Sequence, residues 1–259
     1  MKSQKVRIAK VLSHAGICSR REAEILVKEG KVKVNGDIFK EFSIEKDKIK
    51  KISVLGKELE KPKTRVWVLN KPIGYVCSNK EQENQKSLFR LVSKDLPRVV
   101  TVGRLDINSE GLIILTNNPS LSSFLERPSN KVQRVYFVDV KGNLPNNFYD
   151  IIKKKINIEG ITYEIYALDT IYSKNCNHQF KIKLYEGKKR EIRNIMNFFG
   201  LKVLKLKRIQ FGPFLLGKLE EGNVKEIEEK KINNFFKQLN FSYENNFWWI
   251  QRDKVITSS

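Results

Sequence analysis

Near the start of the chain, apolar residues recur at helical spacing and then change period. Ile8, Val11, Leu12 and Ala15 fall at i, i+3, i+4 and i+7, one face of a helix. Gly16 suits its C-terminal end. Ser19 then opens a second helix, with Glu22 three residues on as its capping-box partner. Ala23, Leu26 and Val27 supply the apolar face, and Gly30 ends it. From there the period becomes two: Val32 and Val34 alternate with Lys31 and Lys33, and Asn35-Gly36 is a strong hairpin signal. The pattern predicts helix, turn, helix, hairpin.

Beyond residue 65 strand-like runs dominate: RVWVLNKP, VVTVGRLD, GLIILTN, RVYFVDVKG, ITYEIYALDTIY, HQFKIKLYEG and LKVLKLKRIQFGPF. Helices are expected over 120–126, 146–155 and 188–199, the last with Ile192, Ile195, Met196 and Phe199 on one face. Closely joined strands with irregularly inserted helices predict an α+β domain around a mostly antiparallel mixed sheet. Near the C-terminus Ile232, Phe235, Phe236 and Leu239 again have helical spacing. They begin a segment rich in aromatics (Phe241, Tyr243, Phe247, Trp248, Trp249), for which packing on the larger domain is favoured over stacking on RNA bases.

Charge changes this picture. Lys and Arg number 50 against 29 Asp and Glu, a formal net charge of +21. Such a balance opposes compaction and attracts polyanions, so nucleic acid is the expected partner. Cys18, Cys77 and Cys176 are far apart, which disfavours a disulfide framework or zinc site and suits a reducing compartment. With only His14 and His178, neither a metal site nor a Ser-His-Asp triad is expected. The glycines form neither a Walker A loop nor a GxGxxG turn, so no cofactor is expected. No apolar run reaches 18 residues and no apolar leader opens the chain, so a cytoplasmic protein off the membrane is expected.

The polar positions of the first unit are mostly basic: Arg7, Lys10, Arg20, Arg21, Lys28, Lys31 and Lys33. Arg20 and Arg21 lie in the first turn of the second helix, where two cations oppose the helix dipole while the exposed N–H groups favour an anion. A phosphate site shows that conflict. The string G-SRREAE-LV-EG-V-VNG, over about residues 5–60, resembles the small RNA-binding module named for ribosomal small-subunit protein four, and so implies binding to structured RNA. The charge-rich stretch from Lys46 to Lys63, with Pro62 near its end, is the expected boundary. The domains are therefore expected at 1–62 (RNA-binding), 63–230 (catalytic) and 231–259 (aromatic-rich extension).

In TVGRLDINSEGLIILTNN, Asp106 stands in a polar connection between two apolar runs. An Asp at such a turn is ordinarily structural, bonding nearby backbone N–H groups. The surrounding string, however, resembles the catalytic motif of pseudouridine synthases of the RsuA/RluB branch, GRLD-x-x-(S/T)-x-GL-(L/I)-(L/I)-x-T-x-(D/N). Further motifs follow the family order: LNKPIGYVCS for K-P-x-G-x, QRVYFVDVKG for the K/R-x-Y strand, LYEGKKREIRNIM for E-G-x-x-(R/H)-(E/Q)-(V/I)-(R/K), and LKRIQFGPFLLGKLEEG for the closing motif. The resemblance spans about residues 5–230. It departs at GNVKEI, where the family commonly has an aromatic before the basic residue.

The resemblance implies isomerisation of a uridine in RNA to pseudouridine without a cofactor or metal. The glycosidic bond is cut, the base rotates, and carbon 5 is joined to the ribose. It implies Asp106 as the catalytic carboxylate, Arg193 as the cation compensating it when buried, and Tyr136 as the residue that stacks on the target base. Arg104 is expected to engage RNA or hold the flipped nucleotide's place, with Lys71, Lys188 and Arg190 as further RNA contacts. EGKKREIR and VYFVDVKG look more like the enzymes of large-subunit ribosomal RNA than the small-subunit enzyme, whose RNA is the alternative target. A transfer RNA target is weaker, and a non-catalytic ribosome-assembly protein is the competing class. A monomer is expected.

Overall fold

The capping box written at Ser19 and Glu22 forms: the Glu22 N–H donates to Ser19 Oγ at 3.2 Å and the Ser19 N–H to Glu22 Oε2 at 2.6 Å. The structure is a computed structural model that describes residues 5–60, 62–78, 81 and 85–241. Its first part comprises β1 (Lys5–Arg7), α1 (Ile8–His14), α2 (Arg20–Lys28), β2 (Val32–Val34), β3 (Asp37–Ile38), β4 (Ser43–Glu45), β5 (Ile52–Val54) and β6 (Lys57–Glu58). Both expected helices and the hairpin are present. Two features were not expected. β1 pairs with β4, and the charge-rich stretch after Lys46 is folded, adding β5 and β6 to a sheet ordered β3-β2-β5-β6. Ile49, Ile52, Val54 and Leu59 complete the core that Ile8, Val11, Leu12, Ala23 and Val27 begin.

The second part comprises β7 (Val66–Lys71), β8 (Tyr75–Val76), β9 (Lys86–Ser87), β10 (Val100–Val102), β11 (Glu110–Thr116), α3 (Pro119–Glu126), β12 (Arg134–Lys141), α4 (Phe148–Ile151), β13 (Ile156–Ile158), β14 (Ile161–Tyr163), β15 (Ala167–Lys174), β16 (Asn177–Leu184), α5 (Glu191–Phe198), β17 (Lys202–Phe211), β18 (Phe214–Leu215), β19 (Val224–Glu226) and α6 (Glu229–Gln238). The chain therefore has an α+β fold. The helix expected over 146–155 shortens to one turn, because the chain runs past Lys153–Lys155 into the β13–β14 hairpin. α6 lays Ile232, Phe235, Phe236 and Leu239 on the larger core, joined by Phe241. Tyr243, Phe247, Trp248 and Trp249 lie outside the described residues. No helix among the described residues is long and apolar enough to cross a membrane.

The nine-stranded sheet runs β15-β16-β12-β17-β11-β7-β19, with β10 also on β11 and β18 on β17. All pairs are antiparallel except β11 with β17. One face carries Trp67, Leu69, Ile113, Tyr136, Val138 and Phe180; the other, under α3 and α6, carries Val66, Val68, Leu112 and Ile114. Both faces of β11 are buried, in keeping with its continuous apolar run.

β11 positions the site. One edge pairs with β7 along residues 111–116. The other pairs with β17 at Glu110 and Gly111 and with β10 at Ile114 to Thr116, so the ladder opens between them. The fully buried Arg208 fills that opening, its Nε donating to the Leu112 carbonyl at 2.8 Å. Gly111 is required here. Its φ is +97°, and a Cβ would stand 2.3 Å from the Arg208 carbonyl oxygen. The first part meets the second where His14 Nδ1 and Ser120 Oγ share a hydrogen bond of 3.3 Å between α1 and α3. Burial, with Lys10 and Arg20 adding to it, lowers the pKa of His14 to about 4, so it is neutral there.

Candidate active site

Where the ladder opens, residues 103–109 cross from β10 to β11, and their backbone is held from outside. Lys71 Nζ donates to the Ser109 carbonyl at 2.7 Å and to Pro72 at 2.8 Å. The Gly74 N–H donates to the Ile107 carbonyl at 2.9 Å. Cys77 Sγ accepts from the Leu105 N–H at 3.3 Å. Arg193 Nη2, from α5, donates to the Asn108 carbonyl at 2.7 Å. Within the loop, the Ser109 N–H closes back on the Asp106 carbonyl at 3.0 Å. The backbone is thus fixed by groups remote in sequence, and the Asp106 side chain is left 40% exposed.

That carboxylate faces a cavity of about 790 Å³ lined by Arg104, Tyr136, Leu184, Arg190, Arg208 and Phe211, among others. Arg190 Nη1 lies 3.9 Å from Asp106 Oδ2. Both partners are about half exposed, so the pair contributes only about 0–1 kcal/mol to stability. Its value is local charge, not folding.

Four buried polar atoms have no hydrogen-bond partner among the described residues: Ser109 Oγ, Glu191 Oε1, Arg193 Nε and Arg208 Nη2. Ser109, Glu191 and Arg208 line the cavity, and Arg193 holds its loop. Buried groups are ordinarily satisfied, so the orphans Ser109 Oγ and Arg208 Nη2 on the cavity wall mark a place where a polar ligand completes the bonding.

The expected site residues separate into groups. Asp106, Tyr136, Arg104, Lys188 and Arg190 meet at the cavity. Tyr136 is 8% exposed and serves both core and cavity wall. Arg193 does not pair with Asp106. Arg190, in the turn before α5, reaches the acid, while Arg193, within α5, reaches the loop backbone. Burial, then Arg190, lowers the pKa of Arg193, with Asp106 partly offsetting them. The premise of a buried carboxylate also fails, since Asp106 is half exposed. Lys71, expected as an RNA contact, is turned inward onto the carbonyls of Pro72 and Ser109. It is fully buried, and burial lowers its pKa to about 8. Lys188 is half exposed and bonded to Glu186 at 2.6 Å.

Arg7, Arg20, Arg21, Lys28, Lys31 and Lys33 are exposed and Lys10 half-buried, all on the first unit and none on the cavity. Lys31 is paired with Glu29 at 2.7 Å. Arg134 and Arg208, stacked on Phe211 at 4.7 and 5.0 Å, were missed. For Arg134 the signal was available as parity, since Arg134, Tyr136, Val138 and Val140 share one face of β12.

The family model described as RNA pseudouridylate synthase matches residues 65–198, and the S4 domain model matches residues 6–41. An uncharacterised RNA pseudouridine synthase of Rickettsia typhi is 40% identical over 247 residues, covering 93% of this chain and 99% of that protein. Ribosomal large subunit pseudouridine synthase B of Bacillus subtilis is 30% identical over 228 residues, covering 87% and 93%. Its counterpart in Buchnera aphidicola is 33% identical over 238 residues, covering 88% and 95%. A crystal structure of a pseudouridylate synthase shares the fold, with a TM-score of 0.61 at 23% identity over 89% of this chain and 99% of that one.

Proposed function

The chain belongs to the RNA pseudouridylate synthase family, and from that premise we propose that it isomerises a uridine of large-subunit ribosomal RNA with Asp106 as the catalytic carboxylate. That it is an RNA pseudouridine synthase follows from the family. The large-subunit target is supported by the names of the relatives from Bacillus subtilis and Buchnera aphidicola.

The observation that carries the assignment of Asp106 is a half-exposed carboxylate at a cavity mouth, on a backbone that distant side chains hold still. An ionised carboxylate on a fixed frame is a competent nucleophile or charge stabiliser beside an anomeric carbon. Arg190 Nη1, 3.9 Å away, puts a cation beside it. Tyr136 offers a ring to the detached uracil, and Arg208 Nη2 and Ser109 Oγ offer polar groups to it or its sugar. A base inside folded RNA must leave its stack to arrive here, and Arg104, exposed at the rim, is suited to filling its place. Residues 1–62 would grip the RNA and 63–230 perform the chemistry, with 231–259 as an appended extension.

Asp106→Asn tests the assignment, because Asn is a good turn residue and a poor nucleophile. The variant should melt like the parent, bind RNA comparably, and release no tritium from ribosomal RNA labelled at uracil carbon 5. Full tritium release would falsify the catalytic role. Mapping pseudouridines in large- and small-subunit RNA from a strain lacking the protein decides the target. Loss of a small-subunit position would replace the large-subunit reading.

A further inference from the structure

The turn that carries Arg190 is built around two carboxyl groups for which the proposed chemistry has no use. Glu186 follows β16 and Glu191 opens α5, so residues 187–190 bridge one acid to the other. Glu191 is 3% exposed. Its Oε2 accepts from the Lys188 N–H at 3.1 Å, and its own N–H donates to the Lys188 carbonyl at 3.2 Å. Its Oε1 is buried with no hydrogen-bond donor among the described residues, and the group it faces is the Glu186 carboxyl. The Glu186 side chain is 28% exposed while Glu191 is buried, and Lys188 bonds both, through its N–H to Glu191 and its Nζ to Glu186. Of two carboxyls that interact, the buried one is the costlier to ionise, and one keeps a proton. Lys188 Nζ already serves Glu186, at 2.6 Å, which leaves Glu191 as the group that keeps it.

Between these anchors Arg190 has φ +53°, a left-handed conformation uncommon outside glycine. Such a backbone persists where its surroundings over-determine it. Here they are the Lys188–Glu191 bonds on one side and α5 on the other.

We propose that Glu191 is a neutral acid sharing its proton with Glu186, and that this carboxyl pair is the positioning element that keeps Arg190 turned toward Asp106. Its consequence for turnover rests on the proposed role of Asp106; its existence does not. Burial, then Glu186, pushes Glu191 up to about 8, with Lys188 opposing. The charges facing the pair are Lys188 on the same loop and Arg134 on β12, with Arg208 of β17 beside Arg134. Below about pH 8 the pair holds one proton; above it both acids ionise, repel, and release the turn.

The first measurement is a pH titration of the full chain by ¹³C-carboxyl NMR on glutamate-labelled protein, with the Glu191 signal identified by its absence in Glu191→Gln. It should titrate near pH 8 in the parent and move toward the ordinary glutamate range in Glu186→Gln. A Glu191 signal titrating in the ordinary range in the parent overturns the shared proton. The second is single-turnover tritium release from a large-subunit ribosomal RNA transcript labelled at uracil carbon 5. Glu191→Gln, a neutral isostere, should keep its rate within about twofold at pH 7 and lose one proton's worth of alkaline decline. Glu191→Ala should slow about tenfold at saturating RNA with KM unchanged. Equal slowing in the Gln and Ala variants overturns the positioning role. An active Asp106→Asn variant would remove the proposed role of Asp106, while the NMR titration would still decide the pair.

Discussion

Two turns in this molecule are made in opposite ways. The connection of β2 to β3 is Asn35-Gly36, with φ of +55° and +102°, so the reversal is written in its own two residues even though the Asn35 side chain also bonds the backbone of Lys48, Lys50 and Lys51. The 103–109 connection of β10 to β11 has only Gly103 in the left-handed region, at φ +67°. Its path is set by Lys71, Gly74, Cys77 and Arg193, which come from elsewhere in the sequence. A locally specified turn contains its own damage. An externally held loop transmits damage from every holder, and in exchange frees its own side chains, Asp106 above all, for a ligand. The basic unit that carries the first turn presents exposed cations, where strength comes from number. The second depends on a few fixed atoms.

The largest test of this contrast is Lys71→Met, which keeps the volume and removes the donor to Ser109. Displacing reacting groups by about 1 Å costs on the order of 100-fold in rate. Single-turnover release should fall by about that factor while RNA affinity stays within about twofold. Stability should move the other way. The folded pKa of Lys71 lies below its ordinary 10.5, at about 8. Between those values the unfolded chain binds the extra proton, so the parent gains stability as pH rises, by up to about 3 kcal/mol. The Met variant should lack that rise and be at least as stable at pH 7, which melting curves from pH 7 to 10 would read. A Met variant with full rate would show that the loop does not need its outside holders.

A smaller effect is expected from Arg20→Ala combined with Arg21→Ala on α2. For each phosphate that is no longer neutralised, the log–log salt slope of RNA binding should become shallower by about 0.7–0.9. Affinity should drop while the rate of the bound complex stays the same. An unchanged slope would take the first unit out of RNA binding. The smallest effect belongs to Gly36→Ala. A left-handed alanine should cost about 1–2 kcal/mol of stability, measured in urea, with no change in the saturated rate. A rate defect there would blur the distinction between the two kinds of turn.

Much of the fold was legible because the signals were local. Period, capping box and turn dipeptide all lie within a few residues of what they specify, which is why α1, α2, β2 and β3 stand where the pattern put them. The strands after residue 65 were legible as apolar runs. Their order was not, and neither was the opening in the ladder at β11 that places Asp106. β5 and β6 resemble a charged connector in sequence because β5 is only three residues long, flanked by the exposed Lys50 and Lys51, and β6 is the exposed pair Lys57 and Glu58.

By itself the sequence determined the basic character of the protein, its α+β class, and the residue types that meet at the cavity, since motif and composition need no coordinates. Tertiary structure alone decided what each cation does. Lys71 and Arg193, expected as ligands of RNA and of Asp106, are both turned onto carbonyls of the same loop. Arg190, in the turn just before α5, is the one left beside the acid. Arg208, one of four cations along β17, closes a gap that exists only because β10 and β17 diverge from the same edge. Charge is a property of a residue and can be read in one dimension. Which partner satisfies that charge depends on distances of a few ångströms between segments far apart in the chain, and only packing sets those.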